Sequence, residues 1–132
     1  MKKKLLLHAE LSKVIASMGH RDQLVIGDAG LPVPKGVPCI DLALSQGIPG
    51  FLDTLRVVLD ELEVELGTID AELAEVSPDM AEAFAALWPE QVKLERIPHS
   101  SFMERMQGAK AVVRTGEYTP YSNIILQAGV VF

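Results

Sequence analysis

The chain is short of several things, and each shortage excludes a class of function. Cys39 is its only cysteine, so no internal disulfide can form, which fits a reducing compartment and predicts a cytoplasmic protein. That cysteine has no histidine or cation close by in sequence and reads as a small apolar filler rather than a nucleophile. Neither CxxC nor HExxH spacing occurs, so no metal is expected. Neither GxGxxG nor GxxxxGK[ST] occurs, so nothing suggests a phosphate cradle, and no cofactor is expected. There is no apolar run of the ~18 residues a membrane span needs. Leu5-Leu6-Leu7, behind Lys2-Lys3-Lys4, stops too soon for a signal peptide. Positive charge is also in deficit, with 12 Lys and Arg against 18 Asp and Glu and a net charge of −6. Such a surface repels phosphate backbones and anionic lipid, so neither nucleic acid nor membrane is an expected partner.

What is present predicts one domain over residues 1–132, long enough to bury a core. Leu11, Val14, Ile15 and Met18 share one helical face, so residues 10–18 read as a helix, with Gly19 placed to end it in a left-handed conformation. Residues 23–28 read as a buried strand, and residues 29–38, rich in Gly and Pro, as a loop. A helix is predicted over 51–62 with Leu52, Leu55, Leu59 and Leu62 inward, and a strand over 63–71. Ser77-Pro78 caps and opens a helix to about Leu87, with Met80, Phe84 and Leu87 inward. Strands follow at 91–97, 110–114 and 123–132, and Ser101 to Glu104 has capping-box spacing for a helix through Met106. Alternating strands and helices predict an α/β three-layer sandwich, a central mixed sheet flanked by helices.

The densest stretch is residues 19–34, GHRDQLVIGDAGLPVP. It sets His20 before a short apolar strand and Asp28 after it, so the two could face one cleft. Imidazole gives and takes protons near neutral pH. His20 could equally be a helix-end histidine interacting with the last carbonyls. Asp28, at a strand end, could hold a hydroxyl-rich ligand or cap the turn that follows. His99 sits at a helix start, where the positive helix end favours a neutral, hydrogen-bonding ring, or it is a solvent-facing loop residue. His8 has no companion signal and reads as surface. Tyr121 and Asn123 offer an aromatic face and a mixed donor–acceptor, the combination a sugar needs, or they form a plain polar turn. Glu61, Glu63 and Glu65 read as a solvated acidic face.

These segments resemble the D-ribose pyranase family, the RbsD-like group that also includes the L-fucose mutarotases. Met18-Gly19-His20 with Asp22, Asp28-Ala29-Gly30-Leu31-Pro32-Val33-Pro34, and Gly116-Glu117 with Pro120-Tyr121-Ser122-Asn123-Ile124-Ile125-Leu126 carry the resemblance, which runs end to end. It implies interconversion of the pyranose and furanose forms of D-ribose without a cofactor. It implies His20 as proton donor, with Asp28, His99, Tyr121, Ser122 and Asn123 at sugar-contacting positions. It also implies a homo-oligomer, typically a decamer, whose C-terminal motif completes a neighbour's site. Gly30-Leu31-Pro32 matches the ribose branch, where the fucose branch usually has His-Phe-Pro. Ser122 departs from the alanine common there, and would retune specificity only if its side chain faces the sugar. The rival expectations are a mutarotase of fucose or another sugar, and a non-catalytic sugar-binding transport accessory protein.

The apolar residues Ile124, Ile125, Leu126, Val130, Val131 and Phe132 reach the chain end, where segments fray unless docked. They point to a subunit contact or to an ordinary edge strand.

Overall fold

The computed structural model describes residues 1–132. In chain order the elements are α1 (Ala9–Ser17), β1 (Gln23–Gly27), β2 (Cys39–Asp41), α2 (Phe51–Glu61), β3 (Val64–Asp70), α3 (Leu73–Val76), α4 (Pro78–Leu87), β4 (Lys93–Ile97), α5 (His99–Arg105), β5 (Ala111–Arg114) and β6 (Ile124–Ala128). A 3₁₀ turn, Met106–Gly108, follows α5.

Alternation along the central strands explains the layers. Leu24 and Ile26 of β1 enter one apolar cluster, and Val25 enters another. Ala111 and Val113 oppose Val112 in β5, and Ile124 and Leu126 oppose Ile125 in β6. Successive strand residues point to opposite faces, so a sheet apolar on both faces must be covered on both. The larger cluster lies under α1, α2 and α4 through Leu11, Phe51, Leu55, Val58 and Phe84. The smaller lies under α5 and its 3₁₀ turn through Phe102 and Met106. This is the expected three-layer sandwich with a mixed sheet.

The sheet has six strands in the order β2-β5-β1-β6-β3-β4. β1, β2 and β5 pair in parallel, as do β3 and β4, while β6 runs antiparallel to both β1 and β3. All strands but β6 therefore end at one edge, and β6 begins there. Gly67 on β3 lets the Trp88 ring lie on the sheet: a Cβ there would sit 2.3 Å from Trp88 Cη2.

Several local expectations are corrected. The helix over 10–18 forms, but Met18 turns into extended backbone and Gly19 is not left-handed; Arg21 takes the positive φ, 70°. His8 is exposed yet caps α1, its Nδ1 accepting from Leu11 N–H at 3.3 Å. The buried stripe of α2 is Phe51, Thr54, Leu55 and Val58, with Leu52 and Leu59 only half-buried. Phe51 starts that stripe one residue earlier than the leucines suggest. α5 begins at His99, so Ser101 lies inside the helix and no side chain caps it. Cys39 is exposed on edge strand β2, not buried filler; partial burial and Asp41 push its thiol up, so it remains a weak nucleophile. The last strand stops at Ala128, leaving Val131 and Phe132 exposed while Ile124, Ile125 and Leu126 are core.

Candidate functional site

Five polar side chains converge where the parallel strands end. Asp70 is the last residue of β3, and its side chain is 0% exposed. A buried carboxylate needs donors, and it has two. Asn123 Nδ2 donates to Oδ2 at 2.8 Å, and His99 Nδ1 lies 2.8 Å from Oδ1. Burial pushes the Asp70 carboxyl above its ordinary range, against the pull of those two bonds. Asn123, itself buried, uses its other end to accept from Asp28 N–H at 2.9 Å. One amide thus ties the end of β1 to the end of β3. Gly27 makes room for it, since a Cβ there would lie 3.1 Å from Asn123 Oδ1 and 2.3 Å from Leu31 Cδ2.

Asp28 both caps a turn and faces a cleft. Its Oδ1 accepts from Gly30 N–H at 2.9 Å. Burial raises its carboxyl, and bonds from Gly30, Asn123, Tyr121 and Leu31 oppose the rise. The cleft, ≈ 460 Å³, is lined by Asp28, Ala29, Gly30, Glu117, Tyr118 and Pro120. Glu117 shapes its wall, accepting from Phe51 N–H at 3.1 Å and from Thr119 Oγ1 at 2.9 Å. His99 starts α5, and both oxygens of Glu72 accept its backbone N–H at 3.1 Å. Its ring is therefore set by the Asp70 carboxylate as well as by the helix end. Phe102 stacks on the ring at 6.3 Å, and Tyr121 meets it edge-on at 5.2 Å. Tyr121 reaches that position at φ 63°, a conformation rare outside glycine and concentrated at functional sites. Ser122, next in the chain, is fully buried, and its Oγ has no hydrogen-bond partner.

His20 is not in this cluster. β1 separates it from Asp28, and five strand residues alone span about 13 Å. The expectation of one cleft for both side chains therefore fails within a chain: a strand carries its two flanks to opposite edges of the sheet. At the far edge His20 Nε2 lies 3.0 Å from Glu65 Oε2. Glu65 Oε1 accepts from Gln127 Nε2 at 2.7 Å, so Glu65 is not merely part of an acidic face. The Gln127 and His20 bonds hold its carboxyl below the usual range. A second cleft, ≈ 490 Å³, opens beside His20, with Met18, Glu63, Val131 and Phe132 among its walls.

The stretch over 19–34 is therefore split between the two edges of the sheet. Asp28 joins His99, Tyr121 and Asn123 on the same chain, and His20 stands apart. Sequence reading missed Asp70, Glu65 and Glu72. Asp70 carried the signal that singled out Asp28, a carboxylate closing an apolar strand. No group of three or more His, Cys, Asp or Glu side chains is placed to hold a metal ion.

Comparisons with known proteins agree with this architecture. The profile of the RbsD / FucU transport protein family matches residues 1–131. A D-ribose pyranase of Coprothermobacter proteolyticus is 53% identical over 134 residues, and one of Vibrio vulnificus is 50% identical over 139 residues, each match covering 100% of both chains. The structure of Bacillus subtilis RbsD complexed with D-ribose is 45% identical, covers 100% of both chains and superposes with a TM-score of 0.95. The chain belongs to the RbsD / FucU family.

Proposed function

We propose that this protein is a D-ribose pyranase. It interconverts the pyranose and furanose forms of D-ribose by acid–base catalysis, with no cofactor and no metal. The observation that carries this reading is the polar cluster at the carboxyl edge, in a chain that superposes end to end on an RbsD complexed with D-ribose. Ring change in an aldose passes through the open aldehyde. It needs a proton given to the ring oxygen and one taken from the anomeric hydroxyl, and groups titrating near neutrality suffice. No basic cluster adjoins Asp28, which suits a neutral sugar better than a sugar phosphate.

His20 gives the proton to the ring oxygen. Asp28, His99, Tyr121 and Asn123 surround the sugar, with Ser122 beneath them. Since His20 stands at the opposite edge of the sheet, the site is shared between copies, one bringing His20 and its neighbour the carboxyl-edge cluster. Exposed Val131 and Phe132, beside His20, supply apolar surface for that contact. A ring of copies follows, and we propose a homodecamer acting in the cytoplasm.

Saturation-transfer NMR on D-ribose tests the reading. The wild type accelerates exchange between ring forms. His20→Ala loses about 10²–10⁴-fold of that acceleration while remaining folded. Undiminished exchange in the variant would sink the role of His20. Line broadening for L-fucose but not ribose would replace the pyranase with a mutarotase, and calorimetric ribose binding without acceleration would leave a carrier.

A further inference from the structure

Hydrogen-bond directions around Asp70 set the proton on His99. A backbone N–H can only donate, so the Asp28 N–H must face the oxygen of the Asn123 amide. The amide nitrogen then faces Asp70 and donates to Oδ2. An ionised carboxylate only accepts, so the nitrogen against its other oxygen, His99 Nδ1, carries a proton. In the neutral ring the lone pair is left on Nε2. No protein group bonds Nε2, and a third of the side chain (34%) remains exposed. The ring is clamped by Phe102 and Tyr121 and cannot easily turn.

We propose that His99 is the catalytic base of the ring-opening step and that Asp70 is its positioning residue. The proposal rests on the pyranase reading above. Nε2 takes the proton of the anomeric hydroxyl, and the released O–H pair becomes the second C1–O1 bond. The C1–O5 bond breaks, its electron pair goes to O5, and O5 takes a proton from protonated His20. In the open aldehyde the O4 hydroxyl turns to C1 and attacks it, passing its proton to His20. The carbonyl oxygen recovers a proton from His99. Both histidines return to their starting states, and no co-reactant is consumed.

Three variants and three readouts test this. His99→Gln keeps a hydrogen-bonding side chain but no base. Its exchange rate should fall about 10²–10⁴-fold, while ribose affinity measured by calorimetry should change by no more than about tenfold, the worth of one hydrogen bond. Added imidazole should restore part of the rate in His99→Ala. In Asp70→Asn the demand of Asn123 for an acceptor turns the new amide nitrogen toward Nδ1. The proton then moves to Nε2, which the ¹⁵N spectrum of labelled protein reports, and exchange falls with it. If exchange and affinity fall together in His99→Gln and imidazole rescues nothing, His99 only binds sugar and the proposal is overturned. An unchanged rate in His99→Gln overturns it equally. If the wild type itself leaves ribose exchange unaccelerated, the pyranase reading fails first and the base assignment with it. That outcome is distinct from an active wild type with an indifferent His99.

Discussion

Two histidine–carboxylate pairs sit at opposite edges of one sheet, and they differ in almost everything but chemistry. His20–Glu65 closes at 3.0 Å with both side chains in water, 48% and 36% exposed. His99–Asp70 closes at 2.8 Å with the carboxylate wholly buried. Exposed pairs contribute little and reform readily, because solvent screens them and the side chains retain their freedom. A buried carboxylate must keep its donors, so its partners are held in one arrangement. The exposed pair therefore suits a group that exchanges protons with its surroundings, as the proposed shared site asks of His20. The buried pair suits a group whose proton position must not change between turnovers. Each edge also has one strained residue, Arg21 beside His20 and Tyr121 beside His99, both at positive φ.

The largest test of this comparison separates the two edges onto different chains. Unmixed His20→Ala and His99→Gln proteins should each lack the acceleration. Mixed and reassembled at equal amounts, they should regain about a quarter of the wild-type sites by random assortment in a ring. Mixtures as inactive as their parents would show that each chain uses its own two edges, and the shared site would fall.

Next in size is Gly27→Ala. Its methyl would press on Leu31 and on the Asn123 amide. Overpacking of this kind costs about 1–3 kcal/mol, readable as a lower urea midpoint, and activity should fall with it because Asn123 positions both Asp28 and Asp70. An unchanged midpoint would mean that the β1 end is looser than the buried edge of this comparison requires.

A pH test is subtler. The folded Asp70 carboxyl lies above its ordinary value of 3.8, so between those two values, and not at neutral pH where it is ionised, the folded chain retains a proton that the unfolded chain has released. Its contribution to stability is present below that ordinary value and is lost as pH rises through the folded one. The urea midpoint of the wild type relative to Asp70→Asn should therefore fall as pH climbs through the carboxylate range. A difference that grows with pH would mean that the donors outweigh burial.

The smallest effect belongs to Glu65→Gln. Removing one partner of an exposed pair should shift stability by less than about 1 kcal/mol, measured by the same urea titration. A shift as large as that of Gly27→Ala would erase the contrast between the edges.

Much of this was legible in the chain, and for identifiable reasons. Leu24, Val25 and Ile26 announce a strand buried on both faces, and Ser77-Pro78 announces a helix start that the Ser77 hydroxyl does cap. These signals are local, so neighbours in sequence are enough to read them. β2 was not foreseen, since three residues between prolines and a polar loop carry too little periodicity. Asp70, Glu65 and Glu72 were missed because each acts on a residue at least 27 positions away. His20 and Asp28 were joined too closely because short sequence spacing was read as short distance. A strand makes those two quantities nearly proportional and carries its ends apart.

The sequence by itself determined the fold class, the family and the side chains available for chemistry. Apolar periodicity selects strand or helix locally, and the three motifs are contiguous segments. Tertiary structure alone decided which of those side chains meet. The antiparallel placement of β6 between β1 and β3 brings Asn123 between Asp28 and Asp70. The close of β4 brings His99 onto that carboxylate. Burial at that edge, which no local pattern records, fixes His99 against a wholly buried carboxylate and leaves His20 half-exposed against a carboxylate in solvent.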